Sequence, residues 1–260
     1  MNRDAVALAQ RLLLAVRAGD LATADAAIEA LAGLSQAALG AALPDDRARI
    51  ATWLNLYNAA TQRLFAAAPD GYARRANFFR QAAVTVAGTP LSLDTIEHGL
   101  LRRSRPKLGL GFVGTPFAGR FERRFRVDRV DPRVHFALNC AAASCPPIAA
   151  YAPERLDAQL DLATRAYLAA SIRDDGRTLT VPRVFLWFAG DFGGPPGIRR
   201  FLARHGVATE TRRLRPAGWD WTPAPDAWHT DDRQATTWPP VDGTAARPLG
   251  HDATAPGDVP

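Results

Sequence analysis

Residues 44–68 constrain the fold most, because their pattern predicts a long helix that is apolar on nearly every side. A proline and two aspartates at the start of this segment suit the N-terminus of a helix. The apolar side chains, which cover the front and the back of the helix, are Ile50, Trp53, Leu54, Leu56, Tyr57, Ala59, Ala60, Leu64 and Phe65. A helix of this kind is buried. We therefore expect an α+β fold that is mostly helical, with a small β-sheet packed on this long buried helix.

Two asparagines, Asn55 and Asn58, lie within that apolar helix. A buried amide is costly unless it is hydrogen-bonded, so each of them should have a fixed partner. For Asn55 we favour a structural role, in which the amide holds neighbouring backbone. For Asn58 two interpretations stay open, the same structural role or an amide that points into a functional site and donates to an oxyanion.

Residues 130–148 concentrate the chemistry of the chain, because they include both of its cysteines and one of its five histidines. Residues 134–139 form an apolar run between Asp-Pro and a loop of small residues, a pattern that predicts a short buried strand. On such a strand His135 and Cys140 would be about 16 Å apart, at roughly 3.3 Å per residue, and on opposite faces. The predicted strand therefore delivers an imidazole and a thiol to one loop but keeps these two residues apart.

The chain divides into an N-terminal helical extension (residues 1–43), a main domain (residues 44–222) and a proline-rich tail (residues 223–260) that we expect to be flexible. The sequence of the extension predicts two alanine-rich helices. The further elements predicted within the main domain are a hairpin at 84–93, a helix at 153–170, a strand at 178–181 and a last helix at 198–204.

Asp94 follows the predicted hairpin and is suited to cap a short helix, with Glu97 three residues later in the capping-box position. His98 lies on a different side of this helix from Ile96 and Leu100, so packing against the core does not explain it. We therefore interpret Glu97 first as a cap and His98 as a candidate functional residue.

The formal net charge of +6 comes almost entirely from arginine, since Lys107 is the only lysine. The densest basic run, residues 120–126, is short and is interrupted by Glu122, which is typical of a solvated face. We expect no nucleic-acid partner. Residues 109–114 match the dinucleotide fingerprint G-x-G-x-x-G, but the sequence predicts neither a strand before them nor a helix start after them. We therefore expect no nucleotide and no other cofactor.

No stretch reaches the roughly 18 uncharged apolar residues of a membrane span. The first residues carry charges where a signal peptide would be apolar. We expect no membrane span and a cytoplasmic location, with export open only if a leader precedes this sequence.

A family resemblance rests on segments that follow one another along the chain: residues 53–59 (WLNLYNA), 91–102 (LSLDTIEHGLLR), 131–140 (DPRVHFALNC), 144–148 (SCPPI), 185–188 with 191–192, and 219–221. Together they resemble the family called domain of unknown function 547, DUF547, over about residues 45–222. The shared polar residues of that family fall here on Asn55, Asn58, Glu97, His98, His135, Cys140 and Cys145. The resemblance implies no established activity, but this set is similar to the ingredients of a papain- or transglutaminase-like thiol enzyme.

These residue types favour a thiol-dependent hydrolase or acyltransferase that acts on an amide or an ester. Cys145 is the preferred nucleophile, because it lies beyond the predicted strand, where His98 from another element could activate it. The candidate catalytic set is completed by His135, Glu97, Asn58 and Cys140, with Asn139 as a second candidate oxyanion donor.

Three other uses of the two cysteines stay open. A Cys140–Cys145 disulfide would close a small loop. Zinc could be held by both cysteines with His98 and His135, although their spacing is looser than that of a C-x2-C pair. Both thiols could also be buried as small apolar groups. A structural use of the cysteines fits a second function class, a non-catalytic binding or scaffold domain, whose ligand would be a small molecule, a peptide or another protein.

Overall fold

The computed structural model describes residues 4–228, and most of them are helical. The α-helices are Ala5–Ala18 (α1), Leu21–Ala32 (α2), Gln36–Ala42 (α3), Asp46–Ala67 (α4), Arg75–Arg80 (α5), Arg120–Phe125 (α6), Leu156–Ser171 (α7), Val184–Trp187 (α8) and Gly194–Arg204 (α9). A π-helix spans Thr95–Leu101, and short 3-10 helices span Pro69–Arg74, Pro132–Phe136, Pro153–Arg155 and Ala189–Phe192. The predicted mostly helical α+β class is confirmed.

Five short strands in this part of the chain form two small sheets. They are Ala82–Val86 (β1), Thr89–Ser92 (β2), Arg173–Asp174 (β3), Thr178–Val181 (β4) and Arg213–Pro216 (β5). β1 and β2 form an antiparallel hairpin, whereas β4 pairs antiparallel with β3 and parallel with β5. The predicted hairpin and the predicted strand at 178–181 are therefore confirmed.

Helix α4 lies at the centre of the hydrophobic core, as predicted. The Asp45 side chain caps it by accepting a hydrogen bond from the N–H of Ala48 at 2.9 Å. Every residue from 50 to 62 is buried. Helix α1, strand β1 and the π-helix all pack against it. Because the π-helix carries Glu97 and His98, this packing fixes the position of both side chains relative to the core.

The N-terminal helices are part of the same core, since buried residues of α1, α2 and α4 form one hydrophobic cluster. The turn of the β1–β2 hairpin is held by the end of α2, where the N–H of Ala87 donates to the carbonyl of Leu31 at 2.9 Å. A domain boundary at residue 43 stays a prediction.

The loop that carries both cysteines, residues 137–148 (the cysteine loop), is crossed by the end of the described chain. The N–H of Ala224 donates to the carbonyl of Ala141 at 2.8 Å, and the N–H of Ile148 donates to that of Ala227 at 2.7 Å. Residues 219–228 therefore form a strap over this loop. From residue 229 onward the predicted tail lies outside the described residues.

The predicted strand at 134–139 is wrong. Pro132–Phe136 is a 3-10 helix, and the Asp131 side chain starts it by accepting a hydrogen bond from the N–H of Arg133 at 3.0 Å. Aspartate followed by proline is a strong local signal for a helix start, and it outweighs the apolar run that favoured a strand. The separation of His135 and Cys140 inferred from strand geometry does not hold.

The predicted capping role of Glu97 is also wrong. The side chain of Asp94 makes no capping hydrogen bond, and the Ser92 hydroxyl accepts one from the N–H of Thr95 at 3.1 Å instead. Glu97 Oε2 accepts a hydrogen bond from the Tyr57 hydroxyl at 3.3 Å. The last predicted helix does exist, but α9 begins at Gly194, four residues earlier than expected.

Candidate functional site

A pocket of about 330 Å³ lies where the π-helix, the cysteine loop, α8 and the strap meet. One wall is aromatic and consists of Phe79, Trp187, Phe188, Trp219 and Trp221. The polar and thiol-derived lining consists of Tyr57, Asp94, Glu97, His98, Lys107, His135, Cys140 and Cys145. A mostly apolar concavity with a few converging polar groups is the usual form of a ligand site.

His135 reaches this pocket from the 3-10 helix that replaces the predicted strand. Its Nε2 lies 2.9 Å from Oδ2 of Asp191, and its ring stacks on Phe188 with the ring centres 4.3 Å apart. The other ring nitrogen, Nδ1, makes no hydrogen bond within residues 4–228. Because the partner is a carboxylate, neutral His135 carries its proton on Nε2, and Nδ1 is left as an acceptor.

Asp191 is fully buried and is surrounded by donors. Besides His135, it accepts hydrogen bonds from Arg102 Nε at 2.6 Å and from Arg105 Nη1 at 2.8 Å. Burial opposes ionisation of this carboxyl, but the hydrogen bonds from His135 and Arg102 and the charge of Arg102 outweigh burial and hold its pKa well below the usual range. Asp191 is therefore a carboxylate at neutral pH.

The ring of His98 is hydrogen-bonded to a cation, whereas that of His135 is hydrogen-bonded to a carboxylate. Its Nδ1 lies 2.8 Å from Arg102 Nη1, and a guanidinium can only donate, so Nδ1 is the acceptor and Nε2 carries the proton. Nε2 is buried without a hydrogen-bond partner in the described part of the chain, and the nearest carboxylate oxygen, Oδ1 of Asp94, is 3.8 Å away. Burial lowers the pKa of His98, and the charge of Arg102 adds to this, although Glu97 and Asp94 act against it. His98 is therefore a neutral hydrogen-bond donor.

Glu97 precedes His98 on the π-helix and contacts Tyr57 of helix α4. Burial raises the pKa of Glu97, but the interaction with the His98 ring and the charge of Arg102 outweigh that effect, so the pKa lies below its ordinary value and Glu97 is ionised. Burial and the charge of Glu97 raise the pKa of Tyr57 well above that of a free phenol. Tyr57 therefore keeps its proton and donates a hydrogen bond to Glu97.

Cys140 and Cys145 are joined by a disulfide, with their Cα atoms 6.2 Å apart. The backbone N–H of Cys140 also donates to Sγ of Cys145 at 3.1 Å. The sequence leaves several uses of the two cysteines open, and the structure shows the disulfide. Both cysteines line the pocket.

The structural role of Asn58 is the one the geometry supports. Its amide donates to the carbonyl of Ala137 at 3.1 Å, and its oxygen accepts from the N–H of Asn139 at 2.9 Å. Asn139 in turn donates to the carbonyl of Pro146 at 2.8 Å. Asn55 holds both backbone groups of Tyr151 in the same way. Asn58 thus holds the backbone of the cysteine loop and does not line the pocket.

The structure brings five of the six predicted site residues to one pocket: Glu97, His98, His135, Cys140 and Cys145. Sequence reasoning missed Asp191 and Arg102, which orient the two histidines. Asp191 is 56 residues from His135 in the chain, and no local pattern connects the two. Arg102 lies four positions after His98, at the end of the π-helix, and this spacing was the only sequence signal for their contact.

No group of three or more His, Cys, Asp or Glu side chains within residues 4–228 is placed to hold a metal ion. The zinc alternative, which needs both sulfurs with His98 and His135, therefore has no support from the positions of these side chains.

Comparison with protein families gives one match, to the family described as "Protein of unknown function, DUF547", over residues 42–168. Neither the curated proteins nor the solved structures contain a match to this chain. Within the described residues no helix has the length and apolar character needed to cross a membrane.

Proposed function

Residues 42–168 of this chain belong to the DUF547 family, whose description names no activity, and we propose from the pocket that the reduced protein is a thiol-dependent hydrolase or acyltransferase. One observation carries the proposal: both cysteines line the same pocket as His135, whose ring is held by the buried carboxylate of Asp191. A thiol, an imidazole and a carboxylate are the parts of a nucleophilic acyl-transfer site. The likeness to papain- or transglutaminase-like enzymes rests on these residue types, and the fold is no part of the argument.

In this proposal Cys145 is the nucleophile, and His135 replaces His98 as its base. Neutral His135 leaves Nδ1 free to take a proton, because Asp191 holds the proton of the ring on Nε2. His98 cannot act as the base, since its free nitrogen already carries a proton. Its N–H is suited to donate to a substrate oxygen, a role that is part of the proposal. The N–H of Cys140, 3.1 Å from Sγ of Cys145, would stabilise a thiolate there.

The reaction begins with exchange between an external dithiol and the Cys140–Cys145 disulfide, which gives two protein thiols and the oxidised reductant. Cys145 then passes its proton to His135 Nδ1 and attacks the acyl carbon of an amide or ester. The proton goes to the leaving amine or alcohol as its bond to carbon breaks, and a thioester remains on Cys145. Water passes a proton to His135, its hydroxide displaces the sulfur, and the thiol is restored. An alcohol, thiol or amine in place of water completes an acyl transfer.

A reducing compartment would keep the two thiols free, so the proposal includes the cytoplasmic location expected from the sequence. Its substrate is a small molecule, a peptide or a protein whose apolar part contacts the tryptophan wall. The absence of a nucleic-acid partner stays a prediction.

Cys140→Ala and Cys145→Ala test the proposal as a matched pair, because each removes one sulfur and neither variant can form the disulfide. We expect Cys140→Ala to hydrolyse p-nitrophenyl acyl esters without added reductant. Cys145→Ala should lose activity by roughly a thousandfold or more relative to Cys140→Ala. Iodoacetamide labelling of Cys140→Ala between about pH 5 and 9 should reach its plateau well below the ordinary thiol pKa of about 8.5. Equal turnover by the two variants, or an unreactive Cys145, would end the proposal.

The disulfide itself favours a second candidate function, a binding domain that is not catalytic. In that case the bond is structural and shapes the pocket against which an apolar ligand packs. Binding of a ligand that the oxidised protein retains, together with no hydrolysis by Cys140→Ala, would select this candidate.

A further inference from the structure

An apolar loop beside the pocket is exposed to an unusual degree. Of the seven large apolar side chains that are exposed among residues 4–228, five lie between positions 108 and 117: Leu108, Leu110, Phe112, Val113 and Phe117. Leu108 is 87% exposed and Phe117 is 91% exposed. Single exposed apolar residues need no explanation, but a concentration of this kind on one loop marks an interaction site.

Backbone hydrogen bonds define the conformation of this apolar loop. The N–H of Thr115 donates to the carbonyl of Ser104 at 2.7 Å, which closes the base of the loop. Within it, the N–H of Phe112 donates to the carbonyl of Gly109 at 2.9 Å and forms a tight turn. The apolar side chains at the tip therefore project from a closed and hydrogen-bonded structure.

The apolar loop also rests directly on the backbone that carries Asp191. The N–H of Gly190 donates to the carbonyl of Leu110 at 2.7 Å. A Cβ on Gly111 would lie 2.6 Å from Oδ1 of Asp191, and one on Gly190 would lie 2.3 Å from the carbonyl carbon of Gly111, so only glycine fits at either position. Leu110 and Lys107 line the pocket, and the exposed loop thus borders its opening.

Positive charge flanks the apolar loop in the sequence. Basic side chains flank the loop on both sides in the chain, at Arg103, Lys107, Arg120, Arg123 and Arg124. Lys107 is paired with Asp94, but no acidic partner within the described residues neutralises Arg103, Arg120 or Arg124. The only acidic residue between positions 103 and 127 is Glu122.

We propose that the apolar loop, residues 108–117, docks this protein on an anionic lipid bilayer. Leucine, valine and phenylalanine side chains at its tip enter the boundary between headgroups and acyl chains, while the flanking arginines contact lipid phosphates. Combined apolar and cationic character fits such a surface better than it fits nucleic acid, to which the exposed leucines would contribute nothing. The docked protein presents its pocket opening to the bilayer. This inference does not depend on catalysis.

Co-sedimentation of the full chain with vesicles tests this proposal. Vesicles of phosphatidylcholine alone are compared with vesicles that also contain phosphatidylserine, at low and at physiological salt. We expect binding to the anionic vesicles, weakened by salt, and little binding to the neutral ones. The double variant Leu108→Ser/Phe117→Ser should bind the anionic vesicles at least about tenfold more weakly, because it removes two apolar groups from the lipid contact.

Leu21→Ser is the matched control, because Leu21 is 66% exposed but lies on α2 and not on the loop. It should bind as the unchanged protein does. The high exposure of all three leucine and phenylalanine positions means that these variants should fold normally, which circular dichroism checks. Absence of binding to either kind of vesicle, equal binding to both kinds, or undiminished binding of the double variant would overturn the proposal. A further result would also overturn it: the unchanged protein binds no vesicles but forms a dimer, and the double variant is monomeric. A second copy of the chain would then occupy the loop.

Discussion

The two histidines of the pocket are the same residue type in the same tautomer, yet they offer the pocket opposite chemistry. His135 donates a hydrogen bond to a carboxylate and keeps a free acceptor nitrogen, whereas His98 accepts a hydrogen bond from a guanidinium and keeps a free donor nitrogen. Asp191 and Arg102, which are bonded to each other at 2.6 Å, set this difference. A buried ion pair can therefore divide the hydrogen-bonding roles of two imidazoles even though neither of its members lines the pocket.

The largest expected effect that bears on this comparison comes from Asp191→Asn. The amide keeps the shape of the side chain but removes the charge, which leaves the buried guanidinium of Arg102 without a counter-charge. We expect a loss of about 3–5 kcal/mol in the free energy of unfolding, measured by urea denaturation. The tautomer of His135 should also become mixed, which nitrogen NMR of labelled histidine would detect.

Asp94→Asn is the control for that variant, because Asp94 forms its ion pair with the half-exposed Lys107. It should cost no more than about 1 kcal/mol. Equal losses from the two variants would mean that the buried pair is not what distinguishes the histidines.

Phe188→Leu should produce an intermediate effect and should act on the two histidines unequally. The Phe188 ring stacks on His135 with the ring centres 4.3 Å apart, but its centre is 6.2 Å from that of His98. The Arg102 guanidinium lies over the same ring at 4.1 Å. We expect a loss of about 1–2 kcal/mol in stability and a larger change in the NMR signals of His135 than in those of His98. The reverse order of signal changes would contradict the assigned stacking.

Glu97→Gln should give the smallest effect, because the amide keeps the shape of the side chain and an oxygen that can accept from Tyr57, and removes one charge. Glu97 raises the pKa of His98 against the lowering by burial and Arg102, so its removal should move that pKa further below the ordinary 6.5. A pKa that is depressed on folding contributes stability above the unfolded value, and this contribution is lost as the pH falls through the folded value. The acid loss of stability linked to His98 should therefore begin below about pH 6.5 and extend to lower pH in the variant.

Proton NMR titration measures this shift directly, with Glu154→Gln as the control, since Glu154 is exposed and distant in sequence from the pocket residues. The control should leave the titration of His98 unchanged. An upward shift in Glu97→Gln would show that the Glu97 charge does not act on His98 as described.

Local patterns predicted much of the fold, because helix α4 and the β1–β2 hairpin are each specified by residues close together in the chain. The error at residues 134–139 arose where two local signals conflicted, an apolar run and an Asp-Pro helix start. The sequence predicted which residue types line the pocket, but not which histidine offers a hydrogen-bond donor and which an acceptor. Whether Nδ1 or Nε2 of a histidine is free depends on partners such as Asp191, 56 residues from His135, and on the direction of each ring.

The strap and the aromatic wall, apart from Phe79, lie outside the stretch that matches the family, residues 42–168. Both cysteines, both histidines and Arg102 lie inside it, whereas Trp187, Asp191, Trp219 and Trp221 come from the chain that follows. A fragment cut at the limits of the match would keep every candidate reactive group and lose the carboxylate that orients one of them. Under the proposed function, most of the aromatic wall that would contact a substrate therefore comes from sequence that the family match does not cover.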